Sequence, residues 1–225
     1  MTLVLGAMDG EVAAIVANMD VDSREEWRTY PIVRGSIAGA PVVVSRTGVG
    51  KTLSAMLCQH LIDRFAPARI IFTGVAGALH SGLEIGDTVV ARDTLQHDMD
   101  VTALGLEIGR IPFSPYRVFR CDDELVRRAL RVTPPHGRAH EGRVLTGDQF
   151  VADAKLRERL AGTLSGDAVE MEGASVGLVA TINEIPFVLI RTISDHADGT
   201  ALEFARLVSF AADNSWHYLS QMLQE

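Results

Sequence analysis

Residues 69–77 read RIIFTGVAG, a short apolar run that ends in a glycine-rich segment. Such a run is typical of a strand buried on both faces, and ligands of α/β sheets bind beyond the carboxyl ends of such strands. We therefore predict a central strand over 69–73, followed by a glycine-rich segment near a ligand site. Gly74 and Gly77 permit either a tight strand-to-helix turn or a close approach of backbone amides to a sugar or an anion. Spacing alone leaves both alternatives open.

On both sides of this stretch, apolar runs alternate with amphipathic segments. This alternation predicts a largely parallel or mixed sheet with helices on both faces. We expect one α/β domain over residues 1–225, built as a three-layer sandwich with a central mixed β-sheet flanked by helices. The predicted strands are 2–7, 27–38, 41–45, 69–73, 88–96, 143–146, 168–171 and 187–193, and the predicted helices are 9–19, 50–65, 122–132, 155–164, 173–183 and 202–223.

Composition narrows the class of protein. The 225 residues are 47% hydrophobic and carry a formal net charge of −8, which disfavours binding to nucleic acid. The two cysteines and seven histidines lack metal-ligand spacing, so neither a metal nor an organic cofactor is expected. No signal-peptide pattern and no apolar run of the ~20 residues that cross a bilayer is present. We expect a cytoplasmic protein without membrane contact.

Gly50-Lys51-Thr52 has the appearance of the end of a phosphate-binding P-loop. That motif requires a glycine five positions before Gly50, where this chain has Ser45. We therefore interpret the segment as a glycine turn into a helix with Lys51 exposed. An ATPase or a P-loop nucleotide switch is disfavoured.

Two glutamates lie at the end of the predicted strand 168–171. Glu170 and Glu172 are two residues apart, so on a strand they share a face. Carboxylates beside an apolar strand are costly unless they are paired or functional. They are either salt-bridge partners of arginines such as Arg191 or parts of a site, and we favour the site.

Two further carboxyl groups are candidates. Asp195 follows a very apolar strand, where burial favours the protonated form that a general acid needs; it could also cap a helix. Glu11 by itself is explained as a first-turn acid that the helix dipole favours.

Seven motifs in order resemble the nucleoside phosphorylase superfamily and, within it, the 5′-methylthioadenosine/S-adenosylhomocysteine nucleosidases. The resemblance covers nearly the full length. The motifs are GAMDGEV (6–12), TGVGK (47–51), TGVAG (73–77), HDMDVTALG (97–105), TGDQF (146–150), VEMEGA (169–174) and ISD (193–195).

The resemblance implies catalytic roles. Asp195 would protonate N7 of the departing adenine, with Ser194 orienting the carboxyl group. Glu11, helped by Arg191, would bind and activate the attacking water. These roles suit C–N cleavage, because carboxylates favour the oxocarbenium-like sugar and protonation improves the leaving group.

The resemblance also implies a set of substrate-binding residues. Glu172 would bind the ribose 2′- and 3′-hydroxyls, and Met171 would pack under the sugar. Phe150 would stack on adenine, the Val151 backbone would hydrogen-bond the base, and Phe204 would close over the 5′ group. The set is completed by Val75, Ala76, Gly77 and Glu170.

Water is favoured over phosphate as nucleophile. Phosphorolytic members of the superfamily hold phosphate with arginines, one of which comes just before the central glycine segment. Here Ile71-Phe72-Thr73 precede Gly74, and Glu11 would place negative charge near the phosphate. A phosphorolytic nucleoside phosphorylase is kept as an alternative, and a non-catalytic nucleoside-binding protein is another.

The 5′ pocket departs from the family pattern. Val75 stands where a serine is common, and Leu104 and Leu106 replace aromatic residues. Related enzymes that hydrolyse aminofutalosine or futalosine in menaquinone synthesis share the catalytic set, so they are a further alternative. The resemblance also implies a homodimer, for which Leu104, Leu106 and Phe113 offer an apolar surface.

Overall fold

The structure is a computed structural model that describes residues 1–195 and 201–224; for 201–209 it describes the backbone only. Its strands are β1 (Thr2–Gly6), β2 (Asp20–Trp27), β3 (Tyr30–Ile37), β4 (Ala40–Arg46), β5 (Arg69–Ala78), β6 (Thr88–Gln96), β7 (Val118–Arg120), β8 (Ala139–Thr146), β9 (Ala168–Glu170) and β10 (Phe187–Asp195). Its helices are α1 (Asp9–Asn18), α2 (Lys51–Phe65), α3 (Asp123–Arg131), α4 (Ala154–Leu164), α5 (Gly173–Ile182) and α6 (Ala201–Met222).

The predicted fold class is confirmed, since a mixed sheet is flanked by helices. Strand order in the described chain is β10-β6-β8-β9-β5-β1-β4-β3-β2, with β7 beside β6. The pairs β1–β4, β1–β5, β5–β10, β6–β8 and β8–β9 are parallel. Helices α1 and α6 pack together, as do α2 and α5.

Part of the sheet closes on itself. β10 pairs with β5 on one side and antiparallel to β6 on the other, while β8 and β9 complete the circuit back to β5. β5 is thus shared between this closed ring and the open arm β1-β4-β3-β2. Its first half pairs with β1, and its last two residues pair with β9. The shared strand therefore carries the glycine-rich segment into the middle of the molecule.

The glycine-rich segment is not a turn into a helix, which corrects one of the two alternatives. β5 continues through Gly74 and Gly77 to Ala78, because β10 and β9 supply hydrogen-bonding partners along its whole length. A Cβ on Gly74 would lie 2.5 Å from Oε1 of Glu11. Glycine is thus required here by a close approach of a carboxylate to the backbone.

Two strands were not predicted. β2 has the sequence DVDSREEW and is largely exposed, so it lacks the apolar alternation that indicates a strand; it forms by pairing antiparallel with β3 at the sheet edge. β7 is three residues long and pairs with β6. Both strands owe their conformation to a neighbouring strand rather than to their own pattern.

Helices α1 and α2 bury apolar side chains in the hydrophobic core of the fold. Val12 and Ile15 of α1 are buried, as are Leu57, Leu61 and Ile62 of α2. Leu53, in the first turn of α2, is 38% exposed. Among the described residues, none of the helices combines the length and apolar composition that a bilayer crossing requires.

Candidate active site

A cavity of about 570 Å³, open mouth included, lies at the carboxyl ends of β1, β5, β9 and β10. It brings together most of the residues predicted for the site. Those that line it are Glu11, Val75, Ala76, Gly77, Phe150, Val151, Glu170, Met171, Glu172, Ser194 and Asp195.

Glu11 is buried at the third position of α1 and serves two elements at once. Its Oε2 accepts hydrogen bonds from the amides of Ala7 (2.6 Å) and Met8 (2.9 Å) at the start of α1, so its interpretation as a first-turn acid is locally correct. Its Oε1 accepts one from the amide of Val75 (2.9 Å), 64 residues away. Capping alone does not need that contact, which fixes the carboxylate at the cavity wall.

Burial raises the pKa of Glu11. The positive charge of Arg191 opposes this effect, as do the hydrogen bonds from the amides of Val75, Met8 and Ala7. Burial prevails over these charges and dipoles, so Glu11 holds a proton more strongly than an exposed glutamate. A carboxyl group whose pKa is shifted in this way, at the wall of a cavity, is a candidate for proton transfer.

Asp195 ends β10 and is buried. The hydroxyl of Ser194 lies 2.8 Å from Oδ2 of Asp195 and donates to it, and it is also 3.4 Å from the carbonyl oxygen of Ala76. Ser194 thus connects the end of β10 to β5 and restricts the rotation of the Asp195 carboxyl group, as the predicted orienting role requires.

Glu172 immediately precedes α5 and reaches across to the start of α2. Its Oε1 accepts a hydrogen bond from the amide of Gly50 (2.8 Å). Burial, together with the negative charge of Glu170, raises the pKa of Glu172 to about 8. Gly50 has φ +96°, in the region that favours glycine, so its amide can be presented in this direction.

Glu170 has the structural role that the alternative interpretation gave it. Nη2 of Arg191 donates to its Oε2 at 2.9 Å, and both side chains are almost fully buried. The same oxygen accepts from the amide of Gly173 (2.7 Å), while Oε1 accepts from the hydroxyl of Thr146. Although Glu170 lines the cavity, these partners occupy its carboxylate.

Arg191, predicted to help Glu11 activate the attacking water, does not line the cavity. Besides pairing with Glu170, it donates to the Phe72 carbonyl (3.0 Å). It still acts on Glu11 through its charge, which lowers the pKa of that carboxyl group against the effect of burial. The sequence already offered this ion pair as an alternative, because Arg191 lies on the next predicted strand along the chain after Glu170 and Glu172.

The remaining predicted binding residues differ in exposure. Val151 is buried, Met171 is half-buried, and Phe150 is 54% exposed at the mouth of the cavity. Phe204 lies outside the residues whose side chains the structure describes.

Sequence reasoning missed several lining residues: Ala7, Met8, Val49, Gln149 and Val169. Met8 and Val49 lie within the motifs GAMDGEV and TGVGK, and Gln149 within TGDQF, so the motifs located them without a role. Their apolar or amide side chains have no titratable group, so a search for acids, bases and ligands did not single them out.

Lys51 is not exposed, contrary to the prediction. Its side chain is 17% exposed, and its ammonium lies 2.6 Å from Oδ1 of Asp98. Lys51 and Asp98 are 47 positions apart and belong to different motifs, so no local pattern could have indicated this ion pair.

No group of three histidine, cysteine, aspartate or glutamate side chains within the described residues is arranged to hold a metal ion. The groups brought together at the cavity are a serine–aspartate pair and two further carboxylates with raised pKa values. Such a set can donate a proton, accept one and bind hydroxyl groups.

Comparison with known proteins agrees with this geometry. A family model described as "Phosphorylase superfamily" matches residues 2–221. The 5′-methylthioadenosine/S-adenosylhomocysteine nucleosidase of Shewanella pealeana is 35% identical, over 99% of this chain and 98% of that protein.

Solved structures give the same relationship. The nucleosidase of that name from Neisseria meningitidis, in complex with methylthio-immucillin-A, superposes with a TM-score of 0.92 at 30% identity, covering 99% of this chain and 98% of the other. A futalosine hydrolase of Helicobacter pylori superposes with 0.90 at 29% identity, covering 98% and 96%. The chain therefore belongs to the phosphorylase superfamily and, within it, to the 5′-methylthioadenosine/S-adenosylhomocysteine nucleosidase family.

Proposed function

We propose that this protein hydrolyses the N-glycosidic bond of 5′-thio-substituted adenosines, releasing adenine and the thioribose. The substrates are 5′-methylthioadenosine and S-adenosylhomocysteine. The observation that carries the proposal is the meeting of Glu11, Glu172 and Asp195, from three distant segments, around one cavity. The family relationship supports the same substrate class.

In the proposed reaction, the C1′–N9 bond breaks and its electron pair passes to adenine. Asp195, held by Ser194, gives a proton to N7 of the base, which then leaves as neutral adenine. The oxygen of water bonds to C1′, and Glu11 takes the proton that this water loses. Glu172 holds the ribose hydroxyls, and the carboxylates stabilise the positive charge that develops on the sugar.

Water is the proposed nucleophile because the cavity suits it better than phosphate. Within the described residues, its wall contains carboxyl groups and no arginine or lysine. Arg191, the arginine that the resemblance assigned to the water, is paired with Glu170. A phosphate dianion at this place would meet like charge without a guanidinium to balance it.

Adenine release measured with and without phosphate tests the proposal. We expect release from 5′-methylthioadenosine in phosphate-free buffer, at a rate that added phosphate does not raise. Strict dependence on phosphate would instead identify a phosphorylase. A nucleoside-binding protein without catalysis would bind the substrate and release no adenine.

Futalosine-type hydrolysis is the second candidate. It is supported by the similarity to the Helicobacter pylori futalosine hydrolase and by Val75, Leu104 and Leu106 in the segments expected to form the 5′ pocket. Adenine release from a panel of substrates ranks the two candidate functions. The panel contains 5′-methylthioadenosine, S-adenosylhomocysteine, 5′-deoxyadenosine and aminofutalosine. A clear preference for aminofutalosine would replace the first proposal.

The proposal extends to the assembly and cellular setting. We infer a homodimer, supported by large apolar side chains that are exposed in the single chain, Leu104 (71%) and Phe113 (fully). Both cysteines are buried free thiols, consistent with the proposed cytoplasmic location. The products of the reaction suit a place in methionine salvage.

A further inference from the structure

Lys51 has no part in the proposed reaction, although the sequence singled it out at the start of α2. Its ammonium donates to Oδ1 of Asp98 at 2.6 Å and to Oε1 of Gln96 at 3.3 Å. It also lies 4.0 Å from Oδ2 of Asp148. The lysine thus joins the start of α2 to the segment after β6 and to the segment after β8.

Backbone hydrogen bonds connect the same three segments. The amide of Lys51 donates to Oδ1 of Asp148 at 2.8 Å, and the amide of Asp148 donates to Oδ2 of Asp98 at 2.8 Å. We call Lys51, Asp98 and Asp148 the lysine clamp. Each member contacts the other two, so a shift of one segment disturbs both of the others.

The clamp lies directly behind the cavity wall. One residue before Lys51, the amide of Gly50 holds Glu172. Two residues after Asp148, Phe150 lines the mouth of the cavity. A clamp that fixes residues 50–51 and 148 therefore fixes the two groups proposed to hold the ribose hydroxyls and the base.

Charge explains why the clamp needs a cation. Asp98 and Asp148 lie close together, and Lys51 is the cation that contacts both. Burial would raise the pKa of Asp98, yet the ammonium of Lys51 and the amide of Asp148 together hold that pKa below its usual range. Without the ammonium, two carboxylates would repel each other beside the cavity.

We propose that Lys51 is a positioning residue, which holds the Gly50–Glu172 contact and the Phe150 segment in the geometry that binds the nucleoside. This inference rests on the proposed function. Because the groups it positions bind substrate before and during the reaction, its loss should raise KM more than it lowers kcat.

Lys51→Met removes the charge and keeps the length of the side chain. We expect KM for 5′-methylthioadenosine to rise about tenfold while kcat stays within about threefold of wild type. Arg64→Met is the matched control, because Arg64 lies on the same helix in an exposed ion pair with Glu25, far along α2 from the cavity. It should leave both constants unchanged.

Asp98→Asn is a second variant, which weakens the clamp from the other side. It should also raise KM, and the double variant should raise KM little beyond Lys51→Met alone, because both changes break one unit. A KM of Lys51→Met within twofold of wild type would overturn the proposal. So would a double variant whose rise in KM equals the product of the two single rises.

A phosphate site at Lys51 makes a different prediction. In that case inorganic phosphate would bind the wild-type chain, and Lys51→Met would abolish this binding; such a result would also overturn the positioning role. If wild type releases no adenine, the proposed function fails instead. The clamp is then judged by calorimetric titration with adenine, for which we expect the same loss of affinity in Lys51→Met and Asp98→Asn.

Discussion

Asp195 supplies the proton in the proposed reaction, and Ser194 sets its orientation. We expect Asp195→Asn to lower kcat by about 10²–10⁴-fold, because an amide cannot protonate N7 of the base. Asp213→Asn, an exposed aspartate of α6, is the control and should keep full activity. Steady-state adenine release measures both. Full activity in Asp195→Asn would show that another group protonates the base.

Because of Glu172, the free energy of unfolding should fall as the pH rises. Its pKa is raised to about 8, so between about pH 4.5 and about pH 8 the folded chain binds more protons than the unfolded chain. Stability then falls with rising pH across this window. In Glu172→Gln, whose amide oxygen can still accept from Gly50, we expect a smaller fall of the unfolding temperature and a large loss of activity.

Thermal unfolding from pH 5 to pH 8 measures this effect, with exposed Glu158→Gln as control. Equal pH slopes in wild type and Glu172→Gln would contradict the raised pKa.

At the residue scale, motifs located the site better than they assigned its roles. Glu11, Glu172 and Asp195 line the predicted cavity because each follows a strand whose end faces the same edge of the sheet. Arg191 and Glu170, both predicted in the site, form a buried ion pair, which was the alternative left open for Glu170. Which of two nearby carboxylates meets the arginine depends on side-chain direction across strands, which a single sequence does not contain.

At the element scale, α1 and β5 meet at Gly74. A methyl group there would lie 2.5 Å from Oε1 of Glu11 and 3.0 Å from its Cδ. In Gly74→Ala the carboxylate must move away from the Val75 amide, so we expect activity to fall at least about tenfold while the chain still folds. Kinetic assay and circular dichroism together measure this.

Gly162→Ala is the matched control for that change. Gly162 lies in α4 with nothing within 4 Å of an added Cβ, so alanine should keep activity and add about 0.5–1 kcal/mol of stability. Unchanged activity in Gly74→Ala would mean that the position of Glu11 is not critical.

Elements with their own apolar pattern were predictable, and those that depend on neighbours were not. β6 was predicted with its observed bounds, and the buried run of β10 was located. β2 is a charged sequence that becomes a strand because β3 offers a free edge. β5 runs past its glycines because β10 pairs with Gly74 and β9 pairs with Gly77. Such pairing is decided by residues far away in the chain.

At the scale of the whole molecule, we expect a dimer of twice the chain mass of 24.3 kDa in solution. Light scattering measures the mass. Leu104→Asp combined with Phe113→Asp should increase the monomer fraction, since charge is costly in a buried apolar interface. Val21→Asp changes an apolar residue on β2 that is 38% exposed and should leave the mass unchanged. A monomeric wild type would contradict the prediction.

The fold class followed from the alternation of strands and helices, while the closed ring did not. Closure requires β10 to pair with both β5 and β6. Their sequences show only that each is apolar and buried, and many partners would satisfy that requirement. Register and closure come from the packing of the entire chain.

The position of β10 has a consequence for biosynthesis. The strand completes the ring and also ends in Asp195, so a nascent polypeptide still lacking it has neither the finished scaffold nor the proposed proton donor. Glu11, by contrast, precedes Asp195 by most of the described chain and leaves the ribosome long before it. A partly synthesised chain without β10 therefore cannot assemble the three carboxyl groups of the proposed centre.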